Sequence, residues 1–424
     1  MTVRTDAAGL ELARFLRHGD HIVWGQACGE PTTLVEALIA QAEGIGDLSA
    51  FTATSFSGLL TAAAVQKFAL SSMGAIGALR TIAATGRLGV VPCHVSQIGP
   101  MIEQGLIGCD VAFVQVSPAD ADGNHSLGLI SDHVMAAVNK ARVVIAEVNE
   151  QVPFTLGEAT LPAARIHCAV QVSRTPVEVP PAKIGATDLA IARHCASFIE
   201  DGSVLQVGVG ATPDAILQLL RDRRDLGVHS GMVGDGVVDL VEAGVITNAR
   251  KPIDAGVSIT GALIGTRRLY QFAHRNAQVG MRGSAYTHSE AVLSKLPKLV
   301  TLNSAVEVDL TGQVNAEQTG ELYMGGTGGQ VDFVRAGVRS RGGHSIVALP
   351  ATAKGGTISR VTKALSGPVT TARSDVDIVV TEFGAAELRG RTLAERARRL
   401  VKIAHPNFQA ELEQAADAIR RRGF

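Results

Sequence analysis

Short apolar runs alternate with amphipathic stretches through the first half of the chain, and this alternation is the strongest constraint on its fold. The runs are rich in β-branched residues and lie at 21–25 (HIVWG), 89–93 (GVVPC), 110–117 (DVAFVQVS) and 141–148 (ARVVIAEV). Near-continuous apolar runs are typical of parallel strands buried on both faces. Between them, residues 32–43, 95–106 and 131–141 repeat apolar side chains every three or four positions, which predicts helices. The pattern predicts βαβ units with right-handed crossovers, and Ser131 or Asp132 is expected to cap the third helix.

A proline-rich segment separates the two halves of the chain. Residues 172–185 read VSRTPVEVPPAKIG, and three prolines within six residues favour an extended connector over a helix. We therefore predict one α/β domain at 1–178 and a second at 179–424, each long enough to bury its own core. The second half resumes the alternation with a strand at 203–210, a helix that begins at Thr212 or Pro213, and a closing amphipathic helix at 392–403.

Composition excludes several classes of protein. Hydrophobic residues make up 46% and charged residues 19% of the 424 positions, and 39 basic side chains balance 40 acidic ones, as in a compact and nearly neutral globular protein. No basic field is present to attract nucleic acid. The first residues lack the apolar core of a secretion signal, and no apolar run is long enough to span a bilayer. We expect a cytoplasmic protein without nucleic-acid or membrane partners.

The cysteines and histidines suggest neither a disulfide framework nor a metal site. The five cysteines are scattered and form no C-x-x-C pair, so we interpret them as small buried hydrophobic residues. The twelve histidines show no ligand spacing such as H-E-x-x-H. We expect a site without metal.

Two glycine-rich stretches could hold an anion. GVGATPDAIL at 208–217 runs from a strand through Gly-x-Gly and Thr-Pro into a helix, so its backbone N–H groups could cradle an oxyanion or a phosphate, or it could be only a tight turn. It lacks the third glycine of the dinucleotide fingerprint. A second stretch, at 320–345, has four glycines in five positions and reads either as an anion nest or as a flexible hairpin. Lys354, before two glycines, could reach a phosphate or carboxylate, or simply be solvated.

These stretches, taken together, resemble the acetyl-CoA hydrolase/transferase family, and in particular its 4-hydroxybutyrate CoA-transferase-like members. The segments that carry the resemblance span both halves and lie at 116–132, 208–217, 234–251, 302–317, 325–336, 351–361 and 380–408. The resemblance implies two CoA-transferase-type (NagB/RpiA/CoA-transferase-like) open-sheet domains and a coenzyme A thioester site between them. It also implies a homodimer that acts on acyl-CoA and a small acceptor, which is a carboxylate, an amine, an alcohol or water.

The resemblance places a glycine where the family has its nucleophile. Family members use a glutamate whose carboxylate attacks the acyl-CoA carbonyl and then becomes a glutamyl-CoA thioester. That glutamate follows a His-Ser or similar pair and precedes an Asp-Gly-Val-Val-Asp-Leu run. The present chain reads VHSGMVGDGVVDL at 228–240, so the matching position is Gly231. A glycine cannot form this intermediate, unless a neighbouring carboxylate substitutes, the alignment slips locally, or Gly231 is an engineered change.

The rest of the family's site has counterparts in this chain. The resemblance implies that the N–H groups of Val209 and Gly329 form an oxyanion hole. It also implies that residues from two turns and two further segments line coenzyme A, namely Gly208, Val209, Gly210, Ala211, Thr212, Asn303, Ala305, Gly328, Gly329 and Lys354. Fixed N–H donors of this kind stabilise the charge that develops on a thioester carbonyl.

Three functions remain open at this level. In the first, water or an acceptor attacks the thioester directly at the space opened by Gly231, with His229 as a candidate general base and with Glu307, Glu317 and Asp235 as weaker candidates. In the second, another carboxylate serves as nucleophile in a conventional CoA-transferase. In the third, the protein binds acyl-CoA without catalysis, as a sensor or as the partner of an active homologue.

Overall fold

The computed structural model describes residues 2–423, and its first half contains ten strands and four α-helices in that range. The strands are β1 (Val3–Asp6), β2 (His21–Trp24), β3 (Ser49–Phe51), β4 (Ala69–Ser72), β5 (Leu88–Val90), β6 (Val111–Val116), β7 (Asn124–Ser126), β8 (Val143–Asn149), β9 (Thr160–Pro162) and β10 (Cys168–Val172). The helices are α1 (Thr32–Ile45), α2 (Leu79–Ala83), α3 (Val95–Gln104) and α4 (Val134–Lys140).

The second half contains the remaining elements. The helices are α5 (Ala186–Ala196), α6 (Ala211–Gln218), α7 (Asp235–Glu242), α8 (Arg267–Ala273), α9 (Ser284–Thr287), α10 (Glu290–Leu293), α11 (Gln330–Arg339), α12 (Leu393–Ile403) and α13 (Pro406–Arg422). The strands are β11 (Val204–Gln206), β12 (Gly227–Ser230), β13 (Ser258–Thr260), β14 (Val279–Met281), β15 (Leu299–Ser304), β16 (Glu307–Asp309), β17 (Val314–Asn315), β18 (Gln318–Thr319), β19 (Leu322–Tyr323), β20 (His344–Ala348), β21 (Thr352–Ala353), β22 (Ile358–Ser359), β23 (Val361–Thr362), β24 (Ile378–Thr381) and β25 (Gly384–Glu387).

Two eight-stranded sheets organise residues 2–423, one in each half. The first has the order β1-β10-β8-β6-β2-β3-β4-β5, and all its neighbouring strands are parallel. The second has the order β14-β13-β12-β11-β15-β20-β24-β25 and is parallel except for β25 at its edge. The predicted α/β class with two open-sheet domains is confirmed.

The predicted elements that carry a long apolar pattern match the structure closely. Strands β6 and β8 are buried along their whole length, because helices cover both faces of the sheet. Strand β5 ends earlier than predicted, at Val90, and strand β11 ends at Gln206 rather than at Gly210. In both cases the chain leaves the ladder and turns at the carboxyl end of the sheet, where loops of parallel sheets form ligand sites.

The expected cap at Ser131 or Asp132 is wrong, since helix α4 begins at Val134 after His133. Ser131 and Asp132 are used instead to join the two halves. The Ser131 N–H donates to the Gly261 carbonyl at 2.8 Å, and the Ser284 N–H donates to the Asp132 carbonyl at 3.0 Å. Asp132 has a φ of +24°, which excludes it from a right-handed helix.

One apolar core is continuous between the two halves. It includes Val114 of β6, Leu205 of β11 and Ile346 of β20. Residues 173–185 form neither helix nor strand and lie against the second half, where the Tyr270 hydroxyl donates to the Val177 carbonyl at 2.6 Å. All five cysteines are buried and free, as expected for small hydrophobic residues. Of the helices in the described part of the chain, none has both the length and the apolar character needed to cross a bilayer.

Asn248 holds strand β12 in place, and this strand leads directly to Gly231. Substitution of Asn248 therefore tests how the strand is held. The buried Asn248 side chain accepts from the Val228 N–H at 2.8 Å and donates to Ser258 Oγ at 3.0 Å, at a φ of +55°. We expect Asn248→Ala to lower the free energy of unfolding by about 2 to 4 kcal/mol, because it orphans a buried N–H and forces alanine into a left-handed conformation.

Equilibrium urea unfolding followed by circular dichroism measures this effect. Asn248→Gly is the matched control, since glycine loses the same hydrogen bonds but tolerates the positive φ, and it should lose about 1 kcal/mol less. An Asn248→Ala variant as stable as the parent would contradict this account of how β12 is held.

Candidate active site

The turn at 208–212 connects strand β11 to helix α6 at the carboxyl edge of the second sheet. Helix α6 begins at Ala211, one residue before the predicted start, and Gly210 precedes it with a φ of +121°. A side chain is strained in that conformation, which explains a glycine there. The turn is tied to β12, since the Ser230 hydroxyl donates to the Val207 carbonyl at 2.9 Å, and to α5, since Thr212 Oγ1 donates to Asp188 Oδ1 at 2.6 Å.

The second glycine-rich stretch begins in the short hairpin of β18 and β19 and continues as a loop at 325–329 that runs into helix α11. It lies at the junction of the two halves. The Ala75 N–H donates to the Gly325 carbonyl at 2.7 Å, and the Val95 N–H donates to the Gly328 carbonyl at 3.0 Å. The loop touches the backbone of the first half so closely that a side chain on Gly74 would collide with Gly325. The first half therefore fixes the position of Gly329.

Two backbone N–H groups at these turns have no protein acceptor. Within residues 2–423, neither the Val209 N–H nor the Gly329 N–H donates a hydrogen bond, and both residues are half-buried. Val209 stands just before helix α6 and Gly329 just before helix α11, where the partial positive charge of each helix end adds to that of the donors. Each group is thus available to a negatively charged ligand atom.

Gly231 and Gly329 both lie against one imidazole ring, that of His288, next to ring atoms that include Nε2 in each case. A Cβ atom at position 231 would stand 2.8 Å from His288 Cε1 and 2.9 Å from Nε2, and one at position 329 would stand 2.5 Å from Nε2. These separations are too short for real side chains. The ring therefore fills the space that a side chain at position 231 would occupy, and it also lies where a side chain on Gly329 would begin.

His288 was not among the residues predicted from the sequence. It follows the four-residue helix α9, packs against Phe333 with ring centroids 4.7 Å apart, and has a side chain that is almost wholly buried. Burial, followed by the neighbouring His229, lowers the pKa of His288 to about 3, so the ring is neutral at physiological pH. Its local sequence, AYTHSE, carries no motif, so only the tertiary structure reveals its place.

His229, the base expected from the sequence, lies two positions before Gly231 in strand β12 and on the same face. It is fully buried and stacks on Tyr286 with ring centroids 5.9 Å apart. Neither of its ring nitrogens has a hydrogen-bond partner in residues 2–423. Burial, followed by the charge of Lys251, lowers its pKa to about 4. The ring is neutral and has no exposed surface through which to meet a ligand.

The remaining predicted residues lie at separate positions around the sheet edge. Asn303, at the end of β15, donates to Gln206 Oε1 at 3.2 Å, and Ala305 packs on the core beneath α12. Lys354 is exposed in the turn between β21 and β22 with a φ of +47°. Its ammonium makes no hydrogen bond or ion pair to another residue of the described range.

The weaker acid–base candidates all have structural partners. Glu307 accepts from the Ser366 N–H at 2.7 Å, Glu317 accepts from Thr370 Oγ1 at 2.7 Å, and Asp235 accepts from Thr266 Oγ1 at 2.7 Å. Asp132 is different: one carboxyl oxygen accepts from Gln26 at 2.5 Å, whereas Oδ1 has no partner in residues 2–423. Oδ1 and the Gly231 carbonyl oxygen both face the backbone of Gly261. Burial raises the pKa of Asp132 to about 7.

A cavity of about 440 Å³ adjoins the 208–212 turn. Its walls come from the connector at 179–182, from Val209 and Gly210, and from helices α6 and α7. This volume is in the range of small-molecule sites. Within residues 2–423 there is no group of three or more His, Cys, Asp or Glu side chains arranged to hold a metal ion.

Comparison with known proteins identifies the family. Residues 7–179 match the acetyl-CoA hydrolase/transferase N-terminal domain, and residues 265–416 match the C-terminal domain of the same family. The chain is 39% identical to the 4-hydroxybutyrate coenzyme A transferase of Clostridium kluyveri over 401 residues, which covers 94% of each protein.

Solved structures give the same result. The crystal structure of RipA from Yersinia pestis is 32% identical with a TM-score of 0.93, and the match covers 99% of this chain and 98% of that one. The crystal structure of 4-hydroxybutyrate CoA-transferase from Porphyromonas gingivalis is 34% identical with a TM-score of 0.83, over 99% of this chain and 98% of that one. The chain, as its motifs predicted, belongs to the acetyl-CoA hydrolase/transferase family.

Proposed function

We propose that the protein cleaves acyl-CoA thioesters by direct attack of water or another small acceptor on the thioester carbonyl, without a glutamyl-CoA intermediate. Family membership makes it an enzyme of acyl-CoA thioesters, a transferase for which hydrolysis is also open. The observation that carries the proposal is at Gly231. This position has no side chain, and the imidazole of His288 already stands where a glutamate side chain would begin.

The free N–H groups of Val209 and Gly329 support the proposal, because every thioester reaction develops negative charge on the carbonyl oxygen. Both donors lack a protein partner within residues 2–423 and stand at helix ends, where the partial positive charge favours a negatively charged oxygen. We assign the carbonyl oxygen of the thioester to these two groups. Loss of a nucleophile leaves such a hole functional, because fixed donors still lower the barrier for attack by another group.

We further propose that the coenzyme A moiety runs along the 208–212 turn and past Gly328 toward Asn303 and Ala305. The half-buried backbone of the turn supports this path. Lys354 is exposed and unpaired among the described residues, so it is free to approach a coenzyme A phosphate. A homodimer and a cytoplasmic location belong to the same proposal, and the resemblance to the family supports the former.

Conventional CoA transfer through another carboxylate is the second candidate, and Asp132 is the residue that favours it. Its Oδ1 has no hydrogen-bond partner in residues 2–423. Both this oxygen and the Gly231 carbonyl oxygen lie next to the backbone of Gly261. A pKa of about 7 leaves Asp132 partly ionised at neutral pH. An ionised Asp132 would be able to attack an acyl-CoA if the thioester reached it.

Trapping with borohydride tests the proposed route. The protein is incubated with acetyl-CoA or 4-hydroxybutyryl-CoA, with and without acetate, then treated with borohydride and analysed by mass spectrometry, while chromatography follows release of free coenzyme A. We expect release of coenzyme A without a reduced carboxyl-CoA adduct. An adduct on Asp132 would establish conventional transfer instead, and coenzyme A binding without release would contradict both candidates.

Two substitutions at Gly329 distinguish the effect of losing its N–H group from the effect of adding a side chain. Gly329→Ala and Gly329→Pro both place a Cβ against His288, but only proline removes the N–H. We therefore expect proline to lower kcat by a further 10-fold to 1,000-fold relative to alanine. Steady-state rates of coenzyme A release measure this ratio, with circular dichroism as the check on folding. Equal rates in the two variants would exclude this N–H from the oxyanion hole.

A further inference from the structure

The Nε2 atom of His288 is the polar side-chain atom that stands between the two glycines of the site. A Cβ atom on either Gly231 or Gly329 would come within 3 Å of it. Phe333 supports the ring through a tilted contact with centroids 4.7 Å apart. The edge of the ring that carries Nε2 therefore lies against the backbone of both glycines.

The hydrogen bonds around His288 allow the lone pair of the neutral ring to lie on Nε2. Thr287 Oγ1 lies 3.3 Å from the Gly283 carbonyl and donates to it, and it lies 2.8 Å from His288 Nδ1. When the hydroxyl proton goes to the Gly283 carbonyl, Oγ1 accepts from Nδ1–H, and this is the tautomer that the proposal below uses. In a neutral ring the lone pair is then on Nε2, which has no hydrogen-bond partner in residues 2–423. This arrangement, in which a third group orients a base, is that of known acid–base sites.

We propose that His288 is the general base of this enzyme and takes over the position of the missing carboxylate; this inference rests on the proposed function. Nε2 removes a proton from the attacking water as the water oxygen bonds to the thioester carbon. The oxyanion forms at the N–H groups of Val209 and Gly329. When the C–S bond breaks, the imidazolium returns its proton to the sulfur. The products are a carboxylic acid, which ionises, and free coenzyme A.

The surroundings keep the ring neutral before the reaction. A charge on His229 would oppose a charge on His288, but His229 is itself neutral and fully buried. No carboxylate forms an ion pair with His288 in residues 2–423, so nothing holds it protonated beforehand. The developing oxyanion supplies the negative charge that stabilises the imidazolium in the transition state.

Substitution of His288 gives the direct test, with acetyl-CoA and 4-hydroxybutyryl-CoA as substrates. We expect His288→Asn to lower the rate of coenzyme A release about 100-fold or more, while the Kd for a thioether analogue of acetyl-CoA stays within about threefold. The matched control is His125→Asn, which removes another buried histidine that makes a single Nδ1 hydrogen bond, 2.7 Å to Ser117 O, in the first half of the chain. It should keep the parent rate.

Chemical rescue separates catalysis from a purely structural role. Added imidazole should restore release in His288→Ala at least 10-fold, and a series of substituted imidazoles should restore it in proportion to their basicity, because proton transfer follows the strength of the base. Rescue that depends only on the size of the added ring would show that His288 merely fills space, and would overturn the proposal.

Substitution at position 231 provides a second, independent test of the role of His288. Gly231→Glu alone should lose activity, because its Cβ displaces the ring, and it should give no adduct. The double variant Gly231→Glu, His288→Asn frees room for the carboxylate and should form a borohydride-trapped glutamyl-CoA adduct. A single Gly231→Glu variant at the parent rate would overturn the role of His288.

The failures of the two proposals are distinct. If the parent protein binds the thioether analogue but releases no coenzyme A with water, acetate or hydroxylamine, the proposed function fails, and the role of His288 fails with it. If the parent releases coenzyme A and His288→Asn does so equally well, only the role of His288 is wrong.

Discussion

The close contact between one imidazole and two glycine backbones determines what this site can do. His288 is held in place by Thr287 and Phe333, and it fits only because neither Gly231 nor Gly329 has a side chain. A carboxylate at position 231 and the ring in its present place exclude each other sterically. The space next to position 231 can therefore hold either a glutamate side chain or the imidazole ring of His288. In this chain it holds the imidazole ring.

The two halves of the protein build the site jointly although each has its own sheet. Loops at the carboxyl ends of the second sheet provide the free N–H groups, whereas the backbone of Ala75 and Val95 in the first half holds the loop that ends in Gly329. Asp132 and Gly261 join the halves on the other side of Gly231. Because the apolar core is continuous through this junction, the relative position of the donors is set by packing across the whole molecule.

The sequence predicted the sheets well because buried parallel strands have a local signature. Strands β6 and β8 and helices α1 and α3 lie where apolar runs and helical repeats placed them. Local patterns failed where a tertiary contact decides the backbone, as at Asp132, whose left-handed conformation serves the joint between the halves. The glycine turns were found because glycine is required there locally. His288 could not be found, since it meets Gly231 and Gly329 only through tertiary contacts, such as the stacking of Tyr286 on His229 and its own contact with Phe333.

The buried cysteines matter for a protein that handles thioesters. A thiolate close to an acyl-CoA would capture the acyl group itself, by exchange of one sulfur for another. Burial raises the pKa of Cys28 and Cys93 to about 11, and that of Cys109 and Cys195 to about 12, so these thiols stay protonated and out of contact with solvent. The same packing that makes these four cysteines good core residues keeps their thiols from being acylated. They therefore do not compete with the nitrogen or oxygen nucleophile of the reaction.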